Sequence, residues 1–149
     1  MSLRACITGW YFASYTLSNE SISLRYQRAK SDPGSYIYFL EEGRKKEDAG
    51  ELAAAIKMYK LGLAVTKDIK LIENLARAFE SSGAYSEAER MYKEAISINA
   101  KNPHNYARLI NILVSFSSDD ESISVRELLQ KASEMGIRHH VLDLTSGIF

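Results

Sequence analysis

The sequence predicts an all-α protein, built as a right-handed α-solenoid of about three to four antiparallel helix pairs. Three observations lead to this prediction. Several residues recur at a constant spacing of 33, and only 2 of the 149 residues are proline. In the clearest unit, apolar residues fall at helical spacing on both sides of a glycine. A period of about 20 to 50 residues indicates stacked helical or blade-like units rather than one central core.

The period divides the chain into units. Three residues of one unit return 33 positions later in the next: Gly50, Ala55 and Tyr59 as Gly83, Ala88 and Tyr92. In the 33 residues before that unit, only the second half of the pattern can be recognised, with Tyr26 at the position of Tyr59. We therefore expect a single domain with a degenerate leading pair (1–35), three repeats (36–68, 69–102 and 103–136) and a C-terminal cap (137–149).

The unit at 69–102 predicts the course of each pair. The inner face of its first helix is apolar and consists of Ile69, Ile72, Leu75, Ala76 and Phe79. Gly83 is predicted to end that helix, and Ser86 with Glu89 to form a capping box at the start of the second. Asn102 and Pro103 provide an N-cap and a first-turn proline, so a further pair begins at Pro103.

Small residues at regular positions predict close contact between helices. They are Gly43, Ala55, Gly62, Ala76, Ala88 and Ala95. The aromatic residues Tyr59, Phe79 and Tyr92 share the register of the core, and we expect them to be buried. No pair can bury its apolar face alone, so each is expected to be stabilised by the next.

These residues resemble the tetratricopeptide family, with its Trp-x2-Leu-Gly-x2-Tyr, Ala-x3-Phe and Pro signature. The slots of the clearest unit hold Ile72, Leu75, Ala76, Phe79, Ala88, Tyr92 and Ala100. Glu42 and Lys46 depart from the pattern, which predicts looser packing of that helix. In the last unit Ala132 follows Ala95 by 37 positions, and the extra residues fall in a loop at 117–120. The resemblance implies a tetratricopeptide-like superhelix.

Composition and motifs argue against several function classes. Nineteen basic and 19 acidic residues give zero net charge, so there is no electrostatic reason to expect nucleic acid as a partner. No apolar stretch is long enough for a membrane span. Phosphate-loop, zinc-protease and nucleophile-elbow motifs are absent. We expect no enzyme activity, cofactor or metal: His139-His140 is predicted to be a solvated pair, Cys6 a packing residue and 119–121 a helix-capping cluster.

The resemblance implies a binding surface on the concave side, lined by the first helix of each pair. Carried over position by position, the predicted partner-binding residues are Leu40, Arg44, Lys70, Glu73, Asn74, Arg77, His104, Ala107, Arg108 and Asn111. One family subtype holds the carboxylate of chaperone tails with Lys, Asn, Asn, Lys and Arg. Here those five slots contain Leu40, Arg44, Asn74, His104 and Arg108, so two of them agree. A carboxylate-binding spot around Arg44, Arg77 and Arg108 remains an alternative.

The predicted function is that of a non-catalytic adaptor, scaffold or co-chaperone-like protein that binds a peptide or partner helix in the concave groove. The alternative is a structural subunit that self-assembles through its ends. Trp10, Tyr11 and Phe12 cannot all face one core, and residues 141–149 are apolar, so homo-oligomers could form at either end. A cytoplasmic location is expected, although the apolar N-terminal segment leaves an organellar or exported protein open.

Overall fold

The computed structural model describes residues 21–116, 122–134 and 136. These ranges contain seven α-helices and one short 3-10 turn, Pro33–Ser35, and no strand. The helices are α1 (Ile22–Ser31), α2 (Tyr36–Asp48), α3 (Leu52–Leu63), α4 (Ile69–Ser81), α5 (Tyr85–Ile98), α6 (Pro103–Phe116) and α7 (Ser122–Glu134). From α2 to α7 each helix packs on the next, and α2 also contacts α4. The predicted all-α helical-repeat solenoid is confirmed.

Two glycines make the tight turns inside the pairs. Gly50 and Gly83 have φ angles of 76° and 79°, a left-handed conformation that glycine adopts without a Cβ penalty. After Gly83 the Ala84 amide donates to the Phe79 carbonyl at 2.9 Å, which closes α4 with the hydrogen bond of a Schellman motif. Ala84 is then already the N-cap of α5, with no side-chain cap.

The predicted capping box at the start of α5 is wrong. The left-handed turn lets α5 begin at Tyr85, so Ser86 lies inside the first turn rather than at the N-cap. Glu89 forms an ion pair with Lys93 one turn later instead. The boundary is therefore set by backbone closure at Gly83, and the serine hydroxyl is too late in the helix to serve as its cap.

Side chains cap the two following first helices. Asp68 precedes α4 and accepts from the Lys70 amide at 2.8 Å and from the Tyr36 hydroxyl at 3.0 Å, which joins the start of α2 to the start of α4. Asn102 accepts from the His104 amide at 3.1 Å, with Pro103 as the first residue of α6. The predicted N-cap at Asn102 is confirmed.

Small residues at helix crossings are buried as predicted. Ala55, Ala76, Ala88 and Ala95 have no exposed surface. A methyl group placed on Gly43 would overlap the ring of Tyr59, and one on Gly62 would lie 2.9 Å from Leu71 and 3.3 Å from Phe39. Tyr59, Phe79 and Tyr92 are in the core, which confirms the aromatic prediction. These helices approach closely because nothing larger than a methyl group separates them.

Helix α2, the first helix of its pair, is less buried than α4, the first helix of the next pair, as predicted. α2 buries Phe39, Leu40 and Gly43, whereas seven residues of α4 are buried. The two departures from the family pattern, Glu42 and Lys46, form ion pairs at the surface with Lys45 and Glu51. Charged side chains at apolar slots thus leave one edge of α2 in contact with solvent.

A small second cluster joins α1 to the array. Its buried members are Ala29, Phe39 and Met58, surrounded by Tyr26, Tyr38, Leu61 and Val65. At the other end Val125 and Ala132 of α7 are buried in the main core. The predictions for Cys6, the Trp10 to Phe12 segment, the loop at 117–120, His139-His140 and the cap at 137–149 lie outside the described residues. Within the described ranges no helix has the length and apolar character of a membrane span.

Candidate functional site

All ten predicted partner-binding residues lie on α2, α4 and α6, whose shared exposed side we call the first-helix face. Six of them are exposed: Arg44, Lys70, Arg77, His104, Arg108 and Asn111. Glu73 is half-buried. Leu40, Asn74 and Ala107 are only 7%, 5% and 4% exposed. Burial leaves little of these three side chains for a partner to contact.

A three-residue contact joins α2, α3 and α4. Arg77 on α4 donates two hydrogen bonds to Glu47 on α2, from Nε to Oε1 at 2.8 Å and from Nη2 to Oε2 at 3.0 Å. The Tyr59 hydroxyl on α3 donates to the same Oε2 at 2.8 Å. Tyr59 is fully buried, so this carboxylate is the acceptor for a hydroxyl that water does not reach. We call such an arginine–glutamate–tyrosine contact a rung.

A second rung joins α4, α5 and α6. Arg108 on α6 donates from Nη1 to Glu80 Oε1 at 3.0 Å, and the Tyr92 hydroxyl on α5 donates to Glu80 Oε2 at 2.7 Å. Glu80 and Tyr92 each stand 33 positions after their counterparts in the first rung. The glutamate and the tyrosine of the rungs therefore repeat with the period of the fold, whereas Arg108 stands 31 positions after Arg77. Together the two rungs fix charged side chains along the middle of the first-helix face.

The rungs shift the pKa values of their members. Burial raises the pKa of Glu47, but hydrogen bonds from Arg77 and Tyr59 outweigh it, so the pKa lies below its ordinary value. Burial and the neighbouring carboxylates raise the pKa values of Tyr59 and Tyr92. Both tyrosines consequently remain neutral donors, and Glu47 remains an ionised acceptor, throughout the neutral pH range.

Arg44 occupies the position of Arg77 one repeat earlier, but no glutamate corresponds to Glu47 there. It stands 33 positions before Arg77 and is exposed. The position 33 before Glu47 is Ser14, which carries no carboxylate. Among the described residues no acidic group lies within ion-pair distance of Arg44, although its charge still lowers the pKa of Glu47. The guanidinium of Arg44 is therefore a surplus positive charge at the α2 end of the face.

Asparagines fix a second set of contacts between α4 and α6. Glu73 Oε1 accepts from Asn102 Nδ2 at 2.7 Å and from Asn105 Nδ2 at 2.8 Å. Asn74 bonds within its own helix, donating to the Lys70 carbonyl at 2.6 Å and accepting from Arg77 Nη2 at 2.6 Å. Glu73 and Asn74 thus hold neighbouring groups in place.

An open cleft of about 410 Å³ lies at the α6 end of the first-helix face. We call it the α4–α6 cleft; it is lined by Glu80, Ser81, Tyr85, Arg108, Asn111, Ile112, Ser115 and Phe116. Tyr85 and Phe116 stack with ring centroids 3.7 Å apart and planes inclined by 13°. Phe116 remains 58% exposed despite this contact.

The sequence interpretation missed Glu80, Tyr85 and Phe116 as members of the site. Glu80 could have been identified from the sequence, because Glu80 and Tyr92 stand 33 positions after Glu47 and Tyr59. Tyr85 and Phe116 carry none, since their contact depends on the angle between α5 and α6. In the ranges the structure describes, no group of three or more histidine, cysteine or acidic side chains could hold a metal ion.

The fold is similar to three solved structures. The Sgt2 TPR domain from Aspergillus fumigatus matches with a TM-score of 0.59 at 18% identity, over 72% of this chain and 72% of that one. PcrH, solved in complex with the chaperone binding region of PopB, matches with 0.59 at 14% identity, over 78% and 95%. MamA matches with 0.57 at 18% identity, over 82% and 81%. A scan of family models and a search of curated sequences give no match. The chain therefore has a tetratricopeptide-like fold.

Proposed function

We propose that this chain is a non-catalytic protein-interaction module that binds a segment of another protein along its first-helix face, as an adaptor, scaffold or co-chaperone-like protein. PcrH, of the same fold, has been solved in complex with the chaperone binding region of PopB. That complex supports binding of a protein segment as a use of this architecture. The contact surface proposed here is the exposed set on the three first helices: Arg44, Lys70, Arg77, His104, Arg108 and Asn111.

The observation that carries the proposal is the order of charges along this face. Arg77 and Arg108 are held by Glu47 and Glu80, whereas Arg44 has no acidic partner among the described residues. A surface whose side chains are fixed before binding loses less conformational entropy when a partner docks. The surplus guanidinium at Arg44 favours a partner segment with a carboxylate at that point, since guanidinium and carboxylate pair through two parallel hydrogen bonds.

The geometry fits a single contact between Arg44 and an acidic group of the partner better than a full five-residue clamp for the carboxylate of a chaperone tail. Of the five clamp slots, Leu40 and Asn74 are buried, and the Asn74 amide already bonds Arg77 and a backbone carbonyl. Arg108 is engaged with Glu80. Arg44 is an exposed slot with no acidic group in ion-pair distance among the described residues, so we place the main electrostatic contact there.

A charge-reversal experiment tests the proposal. The wild-type chain, Arg44→Glu and Arg90→Glu are immobilised in parallel, and proteins retained from the native source are identified by mass spectrometry. Arg90 is the matched control, because it is an exposed arginine on the second helix α5. We expect a protein retained by wild type and Arg90→Glu that Arg44→Glu fails to retain. Circular dichroism checks that all three variants melt alike.

Two results would contradict the proposal. Equal retention of every protein by wild type and Arg44→Glu would remove Arg44 from the site. Loss of the same proteins in Arg90→Glu would place the binding surface on the second helices. Arg77→Ala with Arg108→Ala is a weaker test, because these two changes also break the rungs and so lower stability together with any binding.

A further inference from the structure

We infer that the exposed side of α1 and α3 binds the surface of a bilayer that contains anionic lipids, with Lys57 and Lys60 at the headgroups and Leu24 inserted beside them. This surface lies on helices that take the second place in their pairs, whereas the surface proposed above for a protein segment lies on the first helices. The inference therefore does not depend on the proposed function.

The zero net charge of the chain conceals an uneven distribution among the helices. α1 and α3 contain no acidic residue and five basic ones, Arg25, Arg28, Lys30, Lys57 and Lys60. By contrast, α2 has three basic and four acidic residues, and α4 has two of each. Clusters of about four to eight lysines and arginines are typical of surfaces that bind anionic headgroups. We call the exposed side of α1 and α3 the basic surface.

The repeat places α1 and α3 next to each other with matching faces. Leu24 stands 33 positions before Lys57, and both side chains are exposed. The two helices share the small apolar cluster in which Ala29 of α1 and Met58 of α3 are buried. Equivalent positions on successive units of a repeat array face the same way. Leu24 and Lys57 therefore belong to one exposed surface.

The lysines of α3 carry charges that no described acid neutralises. Both Lys57 and Lys60 are exposed, and neither forms an ion pair with a residue in the described ranges. Lys60 Nζ lies 5.3 Å from the centroid of the Phe79 ring, a contact without a negative charge. Each lysine thus attracts an anionic surface within about one Debye length, which is roughly 10 Å at about 0.1 M salt.

Exposed apolar side chains favour a bilayer over a nucleic acid as the anionic partner. Ile22 and Leu24, in the first turn of α1, are 41% and 53% exposed. Apolar side chains beside basic ones are typical of helices that lie in the membrane interface, where the first enter the acyl boundary and the second meet the headgroups. A phosphate backbone would use the lysines but would gain nothing from contact with a leucine.

Vesicle flotation with the full chain tests the inference. Vesicles of phosphatidylcholine alone are compared with vesicles that also contain about 30 mol% phosphatidylserine. We expect binding to the anionic vesicles to be at least about tenfold stronger than to the neutral ones at about 0.1 M salt. Raising the salt to about 0.5 M should release most of the bound chain, because the attraction is then screened over a shorter distance.

Charge variants locate the surface. Lys57→Gln with Lys60→Gln should weaken binding to anionic vesicles at least about tenfold, since each lysine near such a surface contributes about fivefold. Lys101→Gln with Lys131→Gln is the matched control, because it removes two exposed charges away from the basic surface and should bind like wild type. Leu24→Ser should weaken binding about threefold by loss of the apolar contact. All these side chains are exposed, so the variants should fold, which circular dichroism melts verify.

Three results would overturn the inference. The first is no binding to anionic vesicles, or equal binding to anionic and neutral ones. The second is an equal loss in the control variant, which would show that net charge rather than the basic surface determines binding. The third is tighter binding of a duplex DNA oligonucleotide than of the vesicles, with no effect of Leu24→Ser on either, which would make the basic surface a nucleic-acid site.

Discussion

Removing the Glu47 carboxylate of the first rung should destabilise the fold mainly because the Tyr59 hydroxyl loses its hydrogen-bond acceptor. In Glu47→Ala the hydroxyl of Tyr59, a fully buried residue, loses its acceptor, which costs about 2 kcal/mol. The ion pair with Arg77 adds about 0.5 kcal/mol, because that side chain is 47% exposed and solvent screens the pair. We therefore expect a loss of about 2–3 kcal/mol of unfolding free energy.

A double-mutant cycle isolates this contribution. Tyr59→Phe alone should cost about 1 kcal/mol, because Glu47 keeps its two bonds to Arg77. With both changes no buried hydroxyl remains, so the double variant should lose about 2 kcal/mol less than the sum of the single variants. Urea unfolding followed by circular dichroism at 222 nm, one helical signal for the whole chain, measures each free energy.

Glu42→Ala is the matched control for this cycle. Glu42 lies on the same helix and pairs with Lys45 at 2.6 Å, but the lysine side chain is 71% exposed. Its removal should change stability by less than about 0.5 kcal/mol. Additive losses for Glu47→Ala and Tyr59→Phe, or an equal loss for Glu42→Ala, would refute the reasoning that a buried hydroxyl makes the rung important.

Three further changes test the packing and the electrostatics. Gly43→Ala should lower stability by about 1–3 kcal/mol through overlap with the Tyr59 ring, although alanine is the better helix former; an unchanged urea midpoint would show that the ring moves aside. Ala95→Arg should abolish the folded helical signal, since Ala95 has no exposed surface, whereas Ala53→Arg on an exposed site should melt like wild type. The folded pKa of Glu47 lies below 4.5, so its ionised form stabilises the fold above that pH and the contribution is lost as the pH falls through the folded pKa. Unfolding free energies at about pH 6 and about pH 3 should differ less in Glu47→Gln than in wild type, and identical pH dependence would contradict this assignment.

The repeat period was sufficient to predict most of the fold. A spacing of 33 identified the small residues at the crossings and the buried Tyr59 and Tyr92, because both classes are required wherever two helices meet. It did not predict where α5 begins. A capping box and a glycine turn compete for that boundary, and the backbone bond from Ala84 to Phe79 decides in favour of the turn.

The candidate site was less predictable, because periodicity gives the face of a helix but not the partner across it. The resemblance that placed Arg44 and Arg77 on one face could not show that, among the described residues, Arg77 has a carboxylate in reach and Arg44 has none. The resemblance placed Leu40 on the binding face, and in the structure it is buried. The aromatic stack at Phe116 depends on the angle at which two helices cross, and one sequence contains no measure of that angle.

The separate attachment of α1 has a consequence for the lifetime of the protein. Ala29 is its sole buried residue, and the cluster it joins is distinct from the main core. In a linear array of this kind an element with few buried contacts can unfold locally while the helices of the main core stay intact. Its backbone amides should exchange hydrogen with solvent before those of α4. Each opening also exposes the peptide bonds after Arg28 and Lys30 in the last turn of α1, so limited trypsin digestion should cut there before it cuts within α4 or α5 and leave a resistant fragment that contains both rungs.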